Sequence, residues 1–219
     1  MKHFFIAAAS ACSILFIAPA WAAKVDPLWS KTVDNFKTLS KWVAQDIETQ
    51  LHLEVDGKMQ TFTVKSHLSA WGKGKPVYSV VSRDPPLEPG MPAKKSPSME
   101  FLSNQMGGIL TADADVKRFD GQTLGGRSLT LFHLEESQMG TKLSFKVWVD
   151  PVSGVPQQSE TKTRIPMLMD MHMSTTYTEL PRIGVVEKQS DIAFESLVPF
   201  KNKKGRTIVK PTSWIARPI

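Results

Sequence analysis

From Ile47 onward the chain repeats one device: short stretches of alternating apolar and polar residues, parted by turn signals and almost never by a helical pattern. Ile47, Leu51, Leu53 and Val55 fall on one side of the first stretch, with Asp46, Glu48, Gln50, His52 and Glu54 on the other. Asp56-Gly57 is a short hairpin turn, and the chain returns over 59–68 with Phe62, Val64 and Leu68 set against Lys65 and His67. Residues 77–81 follow the Gly72-Lys73-Gly74 turn. Further strands are predicted over 116–119, 127–136, 143–149, 157–164, 169–180, 185–192 and 207–215. Turns between them fall at Asp120-Gly121, Met139-Gly140, 150–154, Arg182-Ile183-Gly184 and Lys204-Gly205. Strands joined by short turns form an antiparallel meander, because too few helices separate them for a parallel sheet.

Two segments carry helical spacing. Leu28, Trp29, Val33, Phe36 and Leu39 mark one face of 26–39, opened by Asp26-Pro27; Met99, Phe101, Leu102, Met106 and Ile109 mark 98–110. Between strand 77–81 and the second helix lie Pro85, Pro86, Pro89, Pro92 and Pro97, which exclude a central strand or a helix interior. This stretch reads either as a lid over a cavity or as a surface excursion. The predicted fold is mainly antiparallel β: a strongly curved half-open β-barrel covered by two short helices (α+β). Such a trough leaves an apolar cavity.

Composition sets the compartment. The hydrophobic share is 41%, and 13 glycines bring it near that of globular domains, which excludes disorder throughout. One cysteine excludes a disulfide scaffold. Met1-Lys2-His3, an apolar run to Pro19 and then Ala20-Trp21-Ala22 form a secretory signal pattern over 1–22. Cleavage after Ala22 removes Cys12 and leaves 23–219 as a single exported domain, expected in the periplasm. Retention as an anchor and lipidation at Cys12 are the alternatives. The net charge is only +6. Lys201, Lys203, Lys204 and Arg206 read either as a solvated hairpin tip or as a contact for anionic lipid headgroups. Nucleic acid is not expected as a partner.

The stretch 124–131 (Leu-Gly-Gly-Arg-Ser-Leu-Thr-Leu), then Val147-Trp148-Val149-Asp150-Pro151-Val152-Ser153-Gly154-Val155-Pro156 and a strand carrying Glu160, is similar to the central hairpin of the LolA/LolB-like superfamily of periplasmic lipoprotein carriers. The resemblance implies a half-barrel that binds acyl chains and performs no chemistry. It also implies an arginine in an early strand, whereas 47–68 contains only Lys58 and Lys65 as cations. The turn stands without the family, since Asp150 caps it, Pro151 fixes φ and Gly154 tolerates positive φ.

No catalytic pattern competes. Gly-x-Ser-x-Gly and Ser-x-x-Lys are absent, and Gly107-Gly108 and Gly125-Gly126 lack the residues of a phosphate loop. His52, His67, His133 and His172 sit one to a predicted strand, without zinc-ligand spacing. The chain is therefore read as no enzyme and as needing no cofactor. Met167, Met169, Met171 and Met173 recur at every second position, which in a strand places four thioethers on one face. They suit an adaptable cavity lining, with Leu143, Phe145 and Val147 on one face of another strand and Met99 and Met106 on the lid. Ordinary core packing, or Cu(I) bound by Met169, Met171 and Met173, are the other readings. Three functions follow: a carrier of a lipid or acylated protein, as in outer-membrane lipoprotein sorting; a sensory or scaffold module binding an inner- or outer-membrane protein; and copper handling.

Overall fold

The computed structural model describes residues 25–55, 58–86, 110–138, 140–197 and 204–218. The signal segment, the Asp56-Gly57 turn and nearly all of the predicted second helix, with Met99 and Met106, lie outside them, as do Lys201 and Lys203. One helix is found among the described residues, where two were expected. It is not long and apolar enough to cross a membrane.

That helix, α1 (Pro27–Leu39), starts where the sequence places it. The Asp26 side chain accepts from the amides of Leu28 (2.8 Å) and Trp29 (3.1 Å), and Pro27 occupies the first turn, where its missing N–H costs nothing. Arg118 closes the same carboxylate at 3.1 Å and also pairs with Asp120 at 2.9 Å. Burial alone would raise the Asp26 pKa. The Trp29 amide, Arg118 and the Leu28 amide outweigh it and hold the carboxyl below its ordinary range.

The ten strands among the described residues are β1 (Trp42–Val55), β2 (Lys58–Gly72), β3 (Lys75–Asp84), β4 (Lys117–Leu124), β5 (Arg127–Gln138), β6 (Thr141–Val149), β7 (Pro156–Ile165), β8 (Met169–Leu180), β9 (Gly184–Ser196) and β10 (Lys204–Ala216). They form one antiparallel sheet in the order β3-β2-β1-β10-β9-β8-β7-β6-β5-β4. β4 to β10 form a meander. The early hairpin joins it in mid-sheet where β1 pairs with β10, as at Leu51 opposite Thr207. Among the described residues the edges are β3 and β4, and the curved sheet is an open half-barrel between them.

Two predicted turns are corrected. Asp120-Gly121 is not a hairpin tip: β4 runs on to Leu124 through a bulge at Gly121 (φ 69°), and the tip is Gly125-Gly126. Gly205 is not a turn residue either but lies inside β10, opposite Phe194. Strand periodicity locates a run but not its ends, and a glycine reads the same in a turn and beneath a neighbour's ring.

The concave face carries the core. Leu28, Trp29 and Val33 of α1 pack on Phe132 and Leu134 of β5 and Phe145, Val147 and Val149 of β6. Phe36 meets the rings of Phe145 at 6.2 Å and Tyr177 at 5.8 Å, both edge-on. The indole N–H of Trp29 donates to the Thr111 carbonyl at 2.8 Å. The helix thus covers β5, β6, β8 and β9 at one end of the trough.

Candidate functional site

Side-chain alternation sets up successive rows across the concave face. One row runs Phe145–Thr161–Met173–Ile192–Thr207–Leu51–Phe62. The next, farther from α1, runs Leu143–Thr163–Met171–Phe194–Gly205–Leu53. The first five residues of the second row line an open cleft of about 800 Å³. That volume lies in the range of small-ligand sites. Gly205 is needed there: a Cβ at this position would strike the Phe194 ring and come within 2.9 Å of Leu53 Cδ2. Phe194 therefore lies flat across β10.

The predicted lining residues divide. Met171 and Met173 are buried together with Ile192, 8% and 9% exposed, and Met171 and Leu143 line the cleft. Phe145 and Val147 are completely buried beneath α1, so they belong to the helix-covered core and not to the cleft. Met169 opens β8 and is half-buried. Met167 departs from the expectation. It stands in the β7–β8 turn, 79% exposed, with φ at 63°, so the four thioethers do not share one strand face. Pro166 forces this outcome, because a proline N carries no ladder donor and β7 ends at Ile165. Met171 and Met173 occupy successive rows, each flanked by threonines of β7, an arrangement of lining more than of ligands converging on one ion.

Charges ring the cleft in pairs. Arg164 and Asp170 approach to 3.5 Å and Lys204 and Glu195 to 3.0 Å. Arg206 is bound to Asp191. The described cations of the basic hairpin are thus already neutralised by β9, which weakens their claim on an anionic headgroup. The histidines do not converge: His67 binds Asp46 (2.7 Å), His52 binds Thr61 (3.0 Å), His133 binds Ser144 (3.0 Å), and His172 lies 4.0 Å from Glu160. Among the described residues no group of three or more His, Cys, Asp or Glu is placed to hold a metal ion. Arg83 of β3 lies over the Phe62 ring at 5.2 Å, while the 47–68 stretch holds no arginine.

The sequence reading missed a polar strip in the floor. Ser159, Thr161 and Thr163 of β7, Thr175 of β8 and Ser190 of β9 are all buried. The signal was present in Ser159-Glu160-Thr161-Lys162-Thr163-Arg164, where short hydroxyls alternate with charges, but period two there marks a face without marking it as apolar. Near α1 the strip is satisfied internally. Ser159 and the Tyr177 hydroxyl meet at 2.8 Å, Thr175 and Ser190 at 2.7 Å, and Ser190 donates to the Glu187 carboxylate.

Burial pushes the Glu187 carboxyl above its ordinary value of 4.5, outweighing the Ser190 hydrogen bond, and burial likewise pushes the Tyr177 phenol up. The folded state therefore favours protonated Glu187. That contribution to stability is present at low pH and is lost as pH rises from about 4.5 through the folded value. Glu187→Gln keeps an acceptor for Ser190 and removes the titration. Urea unfolding is expected to show the variant more stable than the wild type at pH 7 and equal to it at pH 4; a less stable variant at pH 7 would contradict this assignment.

No protein-family model matches the chain, and no curated protein matches it. Among solved structures it is similar to a DUF1329 family protein from Desulfovibrio piger, with 12% identity, a TM-score of 0.45 and coverage of 88% of this chain and 92% of that one. A likeness at that level transfers neither a fold nor a function. None of these comparisons shows the lipoprotein-carrier family that the 124–156 stretch resembles.

Proposed function

We propose that this chain is an exported, non-catalytic carrier that holds the acyl chain of a lipid or acylated protein in the periplasm. The observation that carries the reading is the row Leu143, Met171 and Phe194, which faces a cleft of about 800 Å³ at the end of the trough that α1 leaves uncovered. Apolar burial alone supplies the affinity, at about 0.8 kcal/mol per methylene. Unbranched thioethers let the wall adapt to chains of different length. The amino-terminal signal pattern and the carrier-like hairpin support the same reading.

Residues 23–219, titrated with a fluorescent long-chain acyl probe, are expected to show saturable binding at one probe per chain, with a Kd on the order of micromolar. Absence of saturable binding would overturn the proposal.

A second reading has its own support. On β3, an edge strand among the described residues, Val80 and Val81 are 58% and 68% exposed at a bulge opposite Lys65 and Ser66. Such an edge accepts a strand from a partner. An envelope scaffold of this kind would co-purify with a membrane protein and yield no extractable lipid.

A further inference from the structure

Thr163 breaks the pattern of its own strip. It is 3% exposed, and its hydroxyl has no hydrogen-bond partner, whereas Ser159, Thr175 and Ser190 on the same concave face are all paired. Two other buried side-chain atoms among the described residues share this lack, Arg83 Nε and Asp170 Oδ1. The Arg83 guanidinium is stacked on Phe62, and Asp170 has Arg164 at 3.5 Å. The Thr163 hydroxyl has no such compensation.

Its position is specific. Cross-strand neighbours are Leu143 on one side and Met171 on the other, and all three line the cleft. A buried hydroxyl without a partner is destabilising, and valine has nearly the same shape without the polar atom. The folded chain alone therefore gives no reason for threonine here. A guest does.

We infer that the Thr163 hydroxyl is the hydrogen-bond donor for a neutral carbonyl of the cargo, so that the cleft selects acyl esters or amides. This rests on the carrier reading. A single uncharged hydroxyl satisfies a neutral carbonyl, but it does not replace the hydration of a carboxylate; a free fatty acid is the poorer guest. The carbonyl at Thr163 places the linkage on the cleft floor. The chain then runs over Met171 and Phe194, and the headgroup passes out between the Arg164–Asp170 and Lys204–Glu195 pairs.

The experiment compares two probes on residues 23–219: 1-monododecanoylglycerol, an ester, and 1-O-dodecylglycerol, the ether that lacks the carbonyl. Each is titrated by displacement of the fluorescent acyl probe. Wild type is expected to bind the ester about tenfold more tightly than the ether, the worth of one hydrogen bond. Thr163→Val is expected to lose that preference through weaker ester binding alone, with an unchanged Tm or one raised by about 2–4 °C. Thr163→Ser is expected to retain the preference. Equal binding of the two probes by wild type, or a preference that survives in Thr163→Val, overturns the inference while leaving the carrier reading in place. If wild type binds neither the probes nor the fluorescent reporter, both fall together.

Discussion

Gly154→Val is expected to lower stability by about 3–5 kcal/mol, read as a fall in the urea midpoint with far-UV strand signal retained below it. Gly154 has φ at 71°, which already penalises any side chain by about 1–2 kcal/mol. It also lies against α1. A Cβ would come within 3.0 Å of Lys31 Cβ, 3.1 Å of the Thr32 amide and 3.2 Å of the Leu28 carbonyl. Two of those atoms are helix backbone and cannot rotate away. The turn cannot retreat either, because the Asp150 carboxylate accepts from the Val152 and Ser153 amides at 3.0 and 2.9 Å. Relief therefore comes only by lifting α1 from Phe132, Phe145 and Val147. Gly126→Ala is the control: φ is 78°, but nothing lies within 4 Å of the added Cβ, so about 1 kcal/mol is expected. Equal losses at the two sites would show that the helix is not seated on this turn.

Met171→Asp is expected to weaken acyl-probe binding at least 100-fold, with the circular dichroism of the fold unchanged. Met171 stands between Thr163 and Phe194 in the row that faces the cleft. A carboxylate there strips the floor of a chain-contacting thioether and must itself be desolvated when a chain enters. Met167→Asp, in the exposed turn, is expected to leave binding within a factor of two. A reversed ranking of the two variants would place the chain elsewhere on the molecule.

The open sheet was legible because period two is a local property. Every predicted strand but 116–119 contains the center of an observed one; that one stops short of the middle of β4, and the Asp26-Pro27 start holds to the residue. What sequence could not supply was pairing at a distance. The junction of β1 with β10 brings Leu51 beside Thr207, and nothing in either segment specifies the other. The division between covered and open floor was hidden for the same reason. Phe145 and Leu143 lie two residues apart on one face, but only the landing point of α1 decides that the first is core and the second lines a cleft. Met167 leaves the thioether face because the ladder ends at Ile165, before Pro166, and alternation does not continue across that turn.

The most direct measurement is native mass spectrometry of the protein isolated from its own cell envelope, followed by solvent extraction. An acyl carrier is expected to show a mass above that of residues 23–219 by one acyl compound per chain, released on extraction and taken up again when added back. A bare chain mass, with no acyl compound in the extract and none taken up on addition, would contradict it.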